Sequence, residues 1–137
     1  MNENSYGFEN LDVWKMAREL NQLIYKEIIS NSKINDYPLK DQINRSSGSV
    51  MDNIAEGQGR GGNKEFIQYL YIARGSLKEM QSQLFRALDR AYLNTEEFGR
   101  IEQLSYDVLK KLNGLIHYLK HSKMTGNKFD KSGQYRT

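Results

Sequence analysis

The sequence lacks cysteine altogether, contains a single proline, and has no long apolar segment. The absence of cysteine excludes disulfide bonds, thiolate nucleophiles and cysteine-ligated zinc. One proline in 137 residues fits a helical chain. No apolar run approaches the roughly 18 residues that a membrane span needs, and the first five residues have neither the basic start nor the apolar stretch of a signal peptide. We therefore expect a soluble cytoplasmic protein with one domain.

Net charge is also absent from most of the chain. The formal charge is +3 and the isoelectric point about 9.0, but four of the 20 basic residues and one of the 17 acidic residues fall within residues 122–137. The remaining 121 residues therefore carry sixteen of each sign. We predict a helical domain over residues 1–121 and a basic, disordered tail over residues 122–137. A modest charge confined to a tail is weak support for polyanion binding, because phosphate affinity grows with the number of cations engaged.

Apolar residues return at helical spacing in four segments, and no segment shows the alternation and hairpin turns of strands. We expect the first helix to follow Asn10 as its N-cap and to end at residues 30–32. The second should extend from about Pro38 to Glu56, with Gly57 as a left-handed C-terminal cap.

The third helix should begin at Asn63 as its N-cap and reach about Leu93. Residues 94–97 predict a short turn that supplies the N-cap of the fourth helix. Short connections between long helices favour antiparallel neighbours. The sequence therefore predicts an all-α protein, an antiparallel up-down-up-down four-helix bundle.

The third helix carries two apolar stripes. The first has the spacing of one helix face and is assigned to the core; it comprises Phe66, Leu70, Ala73, Leu77, Met80, Leu84 and Leu88. The second is rotated by about a quarter turn; it comprises Ile67, Tyr71, Arg74, Lys78 and Phe85. The second stripe either widens the core contact or forms a subunit interface, where aromatic residues and arginine are enriched. We favour the interface, with Ile67, Tyr71 and Phe85 as its candidate residues.

The second helix has a thin apolar stripe interrupted by serine and a separate polar stripe. The apolar positions are Leu39, Ile43, Ser47, Val50 and Ile54. The polar positions are Gln42, Arg45, Ser49, Asp52 and Glu56. The polar stripe is either a hydrogen-bonded network or a solvated face with ordinary ion pairs, and the sequence favours neither.

Several blocks carry a family resemblance. They are Leu11-Asp12-Val13-Trp14, Gln42-Ile43-Asn44-Arg45, the segment 53–60, Phe66, the segment 69–76, and Glu79. Over roughly residues 8–120, their order and spacing resemble the 23S rRNA intervening-sequence protein family of small bacterial four-helix-bundle proteins.

The resemblance implies a homopentamer. The family is similar to the accessory protein of diversity-generating retroelements, a pentamer that binds nucleic acid and a reverse transcriptase, so a reverse transcriptase is an implied protein partner. The family often has two consecutive basic residues where this chain has Asn44-Arg45, which weakens an inherited phosphate-binding face.

Catalytic and metal sites are not expected. Asp52 and Glu56 share a helix face, but Arg45 and Arg60 are near enough in sequence to neutralise them, so we interpret them as structural ion pairs. His117 and His121 have the i, i+4 spacing of a zinc pair but lack a third ligand, and we expect both on the surface. No metal or cofactor is predicted.

The glycine-rich segment 57–62 lacks the ending of a phosphate-binding P-loop and no strand precedes it. Its backbone amides and the start of the third helix would accept a phosphate, with basic residues adding charge. A tight turn between antiparallel helices is the favoured interpretation.

The favoured function is therefore a non-enzymatic homo-oligomeric adaptor that binds RNA or DNA and no membrane. Its cations would be supplied repeatedly by the subunits. The candidate nucleic-acid-binding residues are Arg45, Arg60, Lys64, Arg74 and Lys78. The alternative is a protein-interaction scaffold without affinity for nucleic acid.

Overall fold

The computed structural model describes residues 7–122, and within them the chain forms four long helices and no strand. The helices are α1 (Asp12–Ile24), α2 (Tyr37–Gln58), α3 (Asn63–Asp89) and α4 (Thr95–Lys120). The predicted all-α, antiparallel four-helix bundle is confirmed. The basic tail was predicted to begin at residue 122, and everything beyond that residue lies outside the described part of the chain.

The first helix begins one residue later than the predicted cap implies. Phe8–Asn10 form a short 3-10 turn, and Leu11 rather than Asn10 is the N-cap of α1. The helix then passes into one π-helical turn at Tyr25–Ile29 and ends at Ser30, close to the predicted end. Asn10 cannot cap α1 because it is itself inside the preceding turn.

Two caps predicted in the connection between α2 and α3 are wrong. Gly57 is helical and buried, and α2 continues to Gln58. The residue with a left-handed backbone is Gly61, at φ 85°, where glycine avoids the clash of a Cβ atom. Gly62 is the N-cap of α3, whereas Asn63 is its first residue and donates a side-chain hydrogen bond to the Leu119 carbonyl at 3.4 Å. Asn63 thus braces the end of α4 instead of capping α3.

The connection between α3 and α4 shortens α3 by four residues relative to the prediction. The helix ends at Asp89 rather than Leu93 because Ala91 has a φ of 60°. The Tyr92 amide then bonds back to the Ala87 carbonyl at 2.9 Å. Asn94 caps α4, and its side chain and that of Glu97 form a reciprocal capping box, which confirms the predicted new N-cap in residues 94–97.

The core lies between the four helices. The first stripe of α3 is buried apart from Leu88, which is half-buried, and the whole thin stripe of α2 is buried. Each helix packs against the two beside it, in the order α1, α2, α3, α4 and back to α1. The α3–α4 side and the α1–α4 side are therefore adjacent faces of the bundle, with α4 at the edge that they share.

Candidate self-association and nucleic-acid surfaces

The second stripe of α3 lies along the contact with α4. Arg74 donates a hydrogen bond to the Asn113 side chain at 2.9 Å, and the Phe85 and Phe98 rings pack with their centroids 5.0 Å apart. Tyr106 of α4 lines a small recess with Phe85. We call this region the α3–α4 surface, and it comprises Ile67, Tyr71, Arg74, Lys78 and Phe85 of α3 with Glu102, Tyr106, Asn113 and Lys120 of α4.

Three aromatic rings of the α3–α4 surface remain open to solvent. The exposed fractions are 37% for Tyr71, 47% for Phe85 and 49% for Tyr106. Ile67 is only half-buried and packs against the core. A wider core contact therefore accounts for Ile67 and for one side of Phe85, but it leaves an uncovered aromatic strip.

Cations surround these rings. The Arg74 guanidinium carbon lies 4.9 Å from the centroid of the Tyr71 ring, and the Lys120 ammonium lies 5.9 Å from it. Lys78 is exposed, seven residues from both Tyr71 and Phe85, which places it between them on the same side of α3. Within residues 7–122, none of these three cations forms an ion pair with a carboxylate.

The predicted interface and part of the predicted nucleic-acid site thus occupy one surface. Arg74 and Lys78 lie among Tyr71 and Phe85, so a partner that covers the rings also covers these two cations. The predicted self-association and the predicted phosphate binding would therefore compete for the α3–α4 surface.

The other three candidate cations lie elsewhere. Arg60 is engaged by its own subunit, with 3.1 Å to the Glu56 carboxylate and 2.7 Å to the Tyr69 hydroxyl. The Tyr69 hydroxyl, followed by Glu56, raises the pKa of Arg60 above its ordinary value. Lys64 is exposed in the first turn of α3, and Arg45 is exposed on α2. The five predicted residues therefore do not form one continuous patch.

One part of the polar stripe of α2 is hydrogen-bonded to α3, and the other part faces solvent. Gln42 accepts a hydrogen bond from Arg86, and the Ser49 and Ser76 hydroxyls lie 2.9 Å apart, so both join α2 to α3. Asp52 is exposed, and Glu56 pairs with Arg60 within an exposed turn. The predicted ion pairing is confirmed for Glu56.

Sequence reasoning missed the centre of the α2–α3 contact. Gln83 is 6% exposed, and Ser46, 4% exposed, donates a hydrogen bond to its side-chain oxygen at 2.7 Å. Gln83 lies beside the apolar stripe of α3, where a glutamine suggested no partner. Tyr106 was also missed, although Tyr106, Asn113 and Lys120 repeat every seven residues, as Tyr71, Lys78 and Phe85 do on α3.

The α1–α4 side carries an apolar groove that the sequence did not suggest. An open groove of about 590 Å³ lies between the two helices. It is lined mainly by Leu11, Val13, Met16, Gly114, Leu115 and Tyr118, with Asp12, Asp107, Lys110 and Lys111 among its other walls. A shallower groove beside Leu23, Gly99 and Leu104 continues it toward the start of α4.

The two histidines are exposed, as predicted, with ring centroids 4.3 Å apart. Across residues 7–122 no three side chains of metal-binding type come together. No helix in the same range is both long enough and apolar enough to span a membrane.

The fold and its surfaces define a small helical-bundle protein with an exposed aromatic face. The family model described as 23S rRNA-intervening sequence protein matches residues 9–114. The chain belongs to this family.

A solved structure shares the fold. It is a protein of unknown function from the S23 ribosomal protein family of Bacteroides thetaiotaomicron, to which the chain is 26% identical with a TM-score of 0.68. The alignment covers 76% of this chain and 97% of that one. Comparison with curated proteins gives no match. The similarity extends over nearly the whole bundle and adds no assigned activity.

Proposed function

We propose that the protein is a non-enzymatic homo-oligomer, assembled through the α3–α4 surface, that acts as an RNA- or DNA-binding adaptor. The family resemblance implies five copies. The observation that carries the proposal is the row of exposed rings of Tyr71, Phe85 and Tyr106 beside cations that have no carboxylate partner within residues 7–122. Aromatic residues and arginine are the residue types enriched in subunit interfaces, and an exposed apolar strip favours association.

In the proposed oligomer the five candidate cations have different roles. Arg74 and Lys78 are covered with the aromatic rings and act in self-association. Arg45 and Lys64 remain exposed and unpaired by carboxylates among the described residues, so they contact phosphates. Arg60 contributes less because Glu56 and Tyr69 already hold it. Each copy supplies a weak contact, and repetition around the oligomer multiplies it.

Catalysis is not part of the proposal. The adjacent carboxylates Asp52 and Glu56 both face solvent, and Arg60 neutralises Glu56.

The assembly is tested by light scattering on the purified full chain. We expect a mass several times 16.0 kDa for the native sequence and about 16.0 kDa for the double variant Tyr71→Glu, Phe85→Glu, with the helical circular dichroism retained. The matched control is Tyr25→Glu, Tyr37→Glu, because these rings are 58% and 63% exposed outside the α3–α4 surface. The control should keep the native mass. A monodisperse native monomer would contradict the proposal.

Nucleic-acid binding is tested by fluorescence anisotropy with labelled single-stranded RNA and DNA after nuclease treatment of the protein. We expect binding at low salt that weakens steeply as salt rises, because each neutralised phosphate releases counterions. The variant Arg45→Glu, Lys64→Glu should bind at least tenfold more weakly and with a shallower salt dependence. The charge-matched control Lys26→Glu, Lys33→Glu changes two exposed lysines away from both surfaces.

The same assay distinguishes the nucleic-acid-binding adaptor from the alternative function. An oligomer that binds no nucleic acid in this assay but co-purifies with a protein, a reverse transcriptase among the implied partners, would be a protein-interaction scaffold. Equal losses in the variant and its control would exclude a specific role for Arg45 and Lys64.

A further inference from the structure

A polar recess of about 300 Å³ lies between α2 and α3, and we call it the α2–α3 recess. Its volume is at the lower end of the range of small-molecule sites. Every side chain in its lining is polar or charged. The lining includes Gln42, Arg45 and Ser49 of α2 and Ser76, Glu79 and Gln83 of α3. Such walls favour a polar ligand whose donors and acceptors match theirs.

The inner wall of the α2–α3 recess holds a buried hydrogen-bond donor without an acceptor. Gln83 is 6% exposed, and its side-chain oxygen accepts from the Ser46 hydroxyl at 2.7 Å. The Gln83 Nε2 group has no acceptor among residues 7–122. A buried donor left unpaired costs free energy, and such groups are rare in folded proteins. The recess therefore offers an amide donor to an oxygen atom of a ligand.

Two opposite charges line the α2–α3 recess without pairing. Arg45 and Glu79 are both exposed. Neither side chain forms an ion pair or a hydrogen bond with any other residue that the structure describes. A ligand that satisfies both must turn an anionic group toward Arg45 and N–H donors toward Glu79. A nucleotide meets this requirement, because its phosphate is the anion and its base carries the donors.

The carboxylate of Glu79 determines which base fits. A carboxylate only accepts hydrogen bonds, and its charge repels phosphate, so in a nucleic-acid complex it contacts N–H groups of a base. Guanine alone presents two adjacent donors, N1–H and N2–H, on its Watson–Crick edge, with the acceptor O6 beside them. Gln83 follows Glu79 by one helical turn on the same face of α3. An amide donor for O6 therefore lies next to the carboxylate.

We propose that the α2–α3 recess binds one unpaired guanine of a single-stranded nucleic acid. Glu79 accepts from N1–H and N2–H, the Gln83 Nε2 group donates to O6, and Arg45 contacts a phosphate of the same strand. A guanine in a duplex does not bind, because its Watson–Crick edge is occupied. This inference rests on the nucleic-acid binding proposed above and adds a base preference to it.

The base preference is measured by fluorescence anisotropy on the full chain, with labelled uridine oligonucleotides that differ only in the central nucleotide. We expect a central guanosine to bind about tenfold more tightly than adenosine, cytidine or uridine, as one bidentate contact to a base provides. Inosine lacks the N2 amino group and should give an intermediate affinity. N1-methylguanosine loses the N1–H donor and should bind no better than adenosine.

The variant Glu79→Gln tests the carboxylate. It replaces one acceptor oxygen by an NH₂ donor, so it should abolish the preference for guanosine. Glu79 is exposed, and the variant should keep the native circular dichroism. Glu19→Gln is the matched control, because it makes the same chemical change at an exposed carboxylate of α1 that does not line the recess. The control should keep the full preference.

Free GMP carries the same base edge and distinguishes a nucleotide from a strand as the occupant. It should displace the labelled guanosine oligonucleotide only at concentrations at least about tenfold above those of the unlabelled oligonucleotide, because a strand adds further phosphate contacts. Equal potency of the two competitors would contradict the assignment to a strand.

Failure of this inference is distinguishable from failure of the proposed function. If all the oligonucleotides bind with the same salt-dependent affinity, nucleic-acid binding stands and the α2–α3 recess does not recognise a base. If the preference for guanosine survives in Glu79→Gln, another site recognises guanine and the inference is wrong. If no oligonucleotide binds at low salt, the proposed nucleic-acid binding itself is refuted, and the inference with it.

Discussion

Gly57 lies where α2 and α3 approach each other closely. A Cβ atom there would lie 2.6 Å from the Tyr69 Cβ and 2.9 Å from the Phe66 ring. Neither atom can move far, because one is next to the backbone and the other belongs to a buried ring. The close approach, and not a left-handed cap, is the reason for glycine at this position.

We predict that Gly57→Ala destabilises the protein by about 1–3 kcal/mol, since overpacking a tight contact forces neighbouring groups to shift. Urea unfolding followed by circular dichroism measures the effect. Gly48→Ala is the control on the same helix, where a Cβ meets nothing within 4 Å, and it should stabilise the protein by about 0.5–1 kcal/mol through helix propensity. Equal effects of the two substitutions would refute the steric explanation.

Residue-level prediction from the sequence succeeded where the pattern is local. Asn94 and Glu97 form the capping box because the box needs only residues three apart. It failed at Gly57 and Asn63, whose roles depend on Tyr69, Phe66 and Leu119 in other turns or other helices. A glycine required by a neighbouring helix and a glycine required by its own backbone look the same in a sequence.

At the scale of elements, one aspartate joins the two connections at the same end of the bundle. The Asp36 carboxylate caps α2 by accepting from the Leu39 amide at 3.3 Å, and it also accepts from Arg90 at 2.7 Å and the Tyr92 hydroxyl at 3.0 Å. Desolvation raises its pKa, but these hydrogen bonds and the Arg90 charge outweigh that effect and hold the pKa below the ordinary 3.8. Burial and then Asp36 raise the pKa of Tyr92 above 10.0.

Because the folded-state pKa of Asp36 is depressed, its charge stabilises the fold fully above about pH 3.8, and the stabilisation is lost as pH falls through the folded-state pKa. We predict that Asp36→Asn has a lower urea midpoint than the native protein at pH 7. The difference should shrink between pH 4 and pH 2. Asp41→Asn, an exposed carboxylate on the same helix, should show no comparable pH-dependent difference. A constant Asp36 effect down to pH 2 would show that geometry, and not charge, matters here.

The positions inside the helices were predicted well from the sequence, whereas the ends of the helices were predicted less well. The apolar spacing of α3 correctly separated its buried stripe from its exposed one. The end of α3 was placed too late because Leu93 fits the apolar pattern and is buried, although it lies beyond the turn at Ala91. Periodicity reports which residues are buried and does not report whether the backbone between them is helical.

At the scale of the whole molecule, the proposed assembly would link stability to protein concentration. If folding and association are coupled, unfolding depends on protein concentration by mass action. We predict that a hundredfold rise in concentration stabilises the native protein by about 2 kcal/mol per chain. The Tyr71→Glu, Phe85→Glu variant should unfold at the same temperature at both concentrations. Differential scanning calorimetry measures this, and a native midpoint independent of concentration would contradict the coupling.

The candidate surfaces were predicted only in part. The stripe of Tyr71 and Phe85 is visible on one helix, so the sequence identified it. The α1–α4 groove is made by two helices that are distant in sequence, and no single segment reveals it. The sequence did place Arg74 and Lys78 in the same stripe as Tyr71 and Phe85, but it assigned the two cations to nucleic acid and the two rings to an interface.

The buried hydrogen bond between Ser46 and Gln83 and the Ser49–Ser76 pair about one turn away fix the position of α2 along the axis of α3. Sliding α2 along α3 by one turn would break both of these hydrogen bonds, a cost that purely aliphatic helices do not incur. The bundle therefore holds one helix offset. Any feature that spans both helices, such as the exposed Arg45 on one and Lys64 on the other, keeps a fixed separation in every copy of the chain.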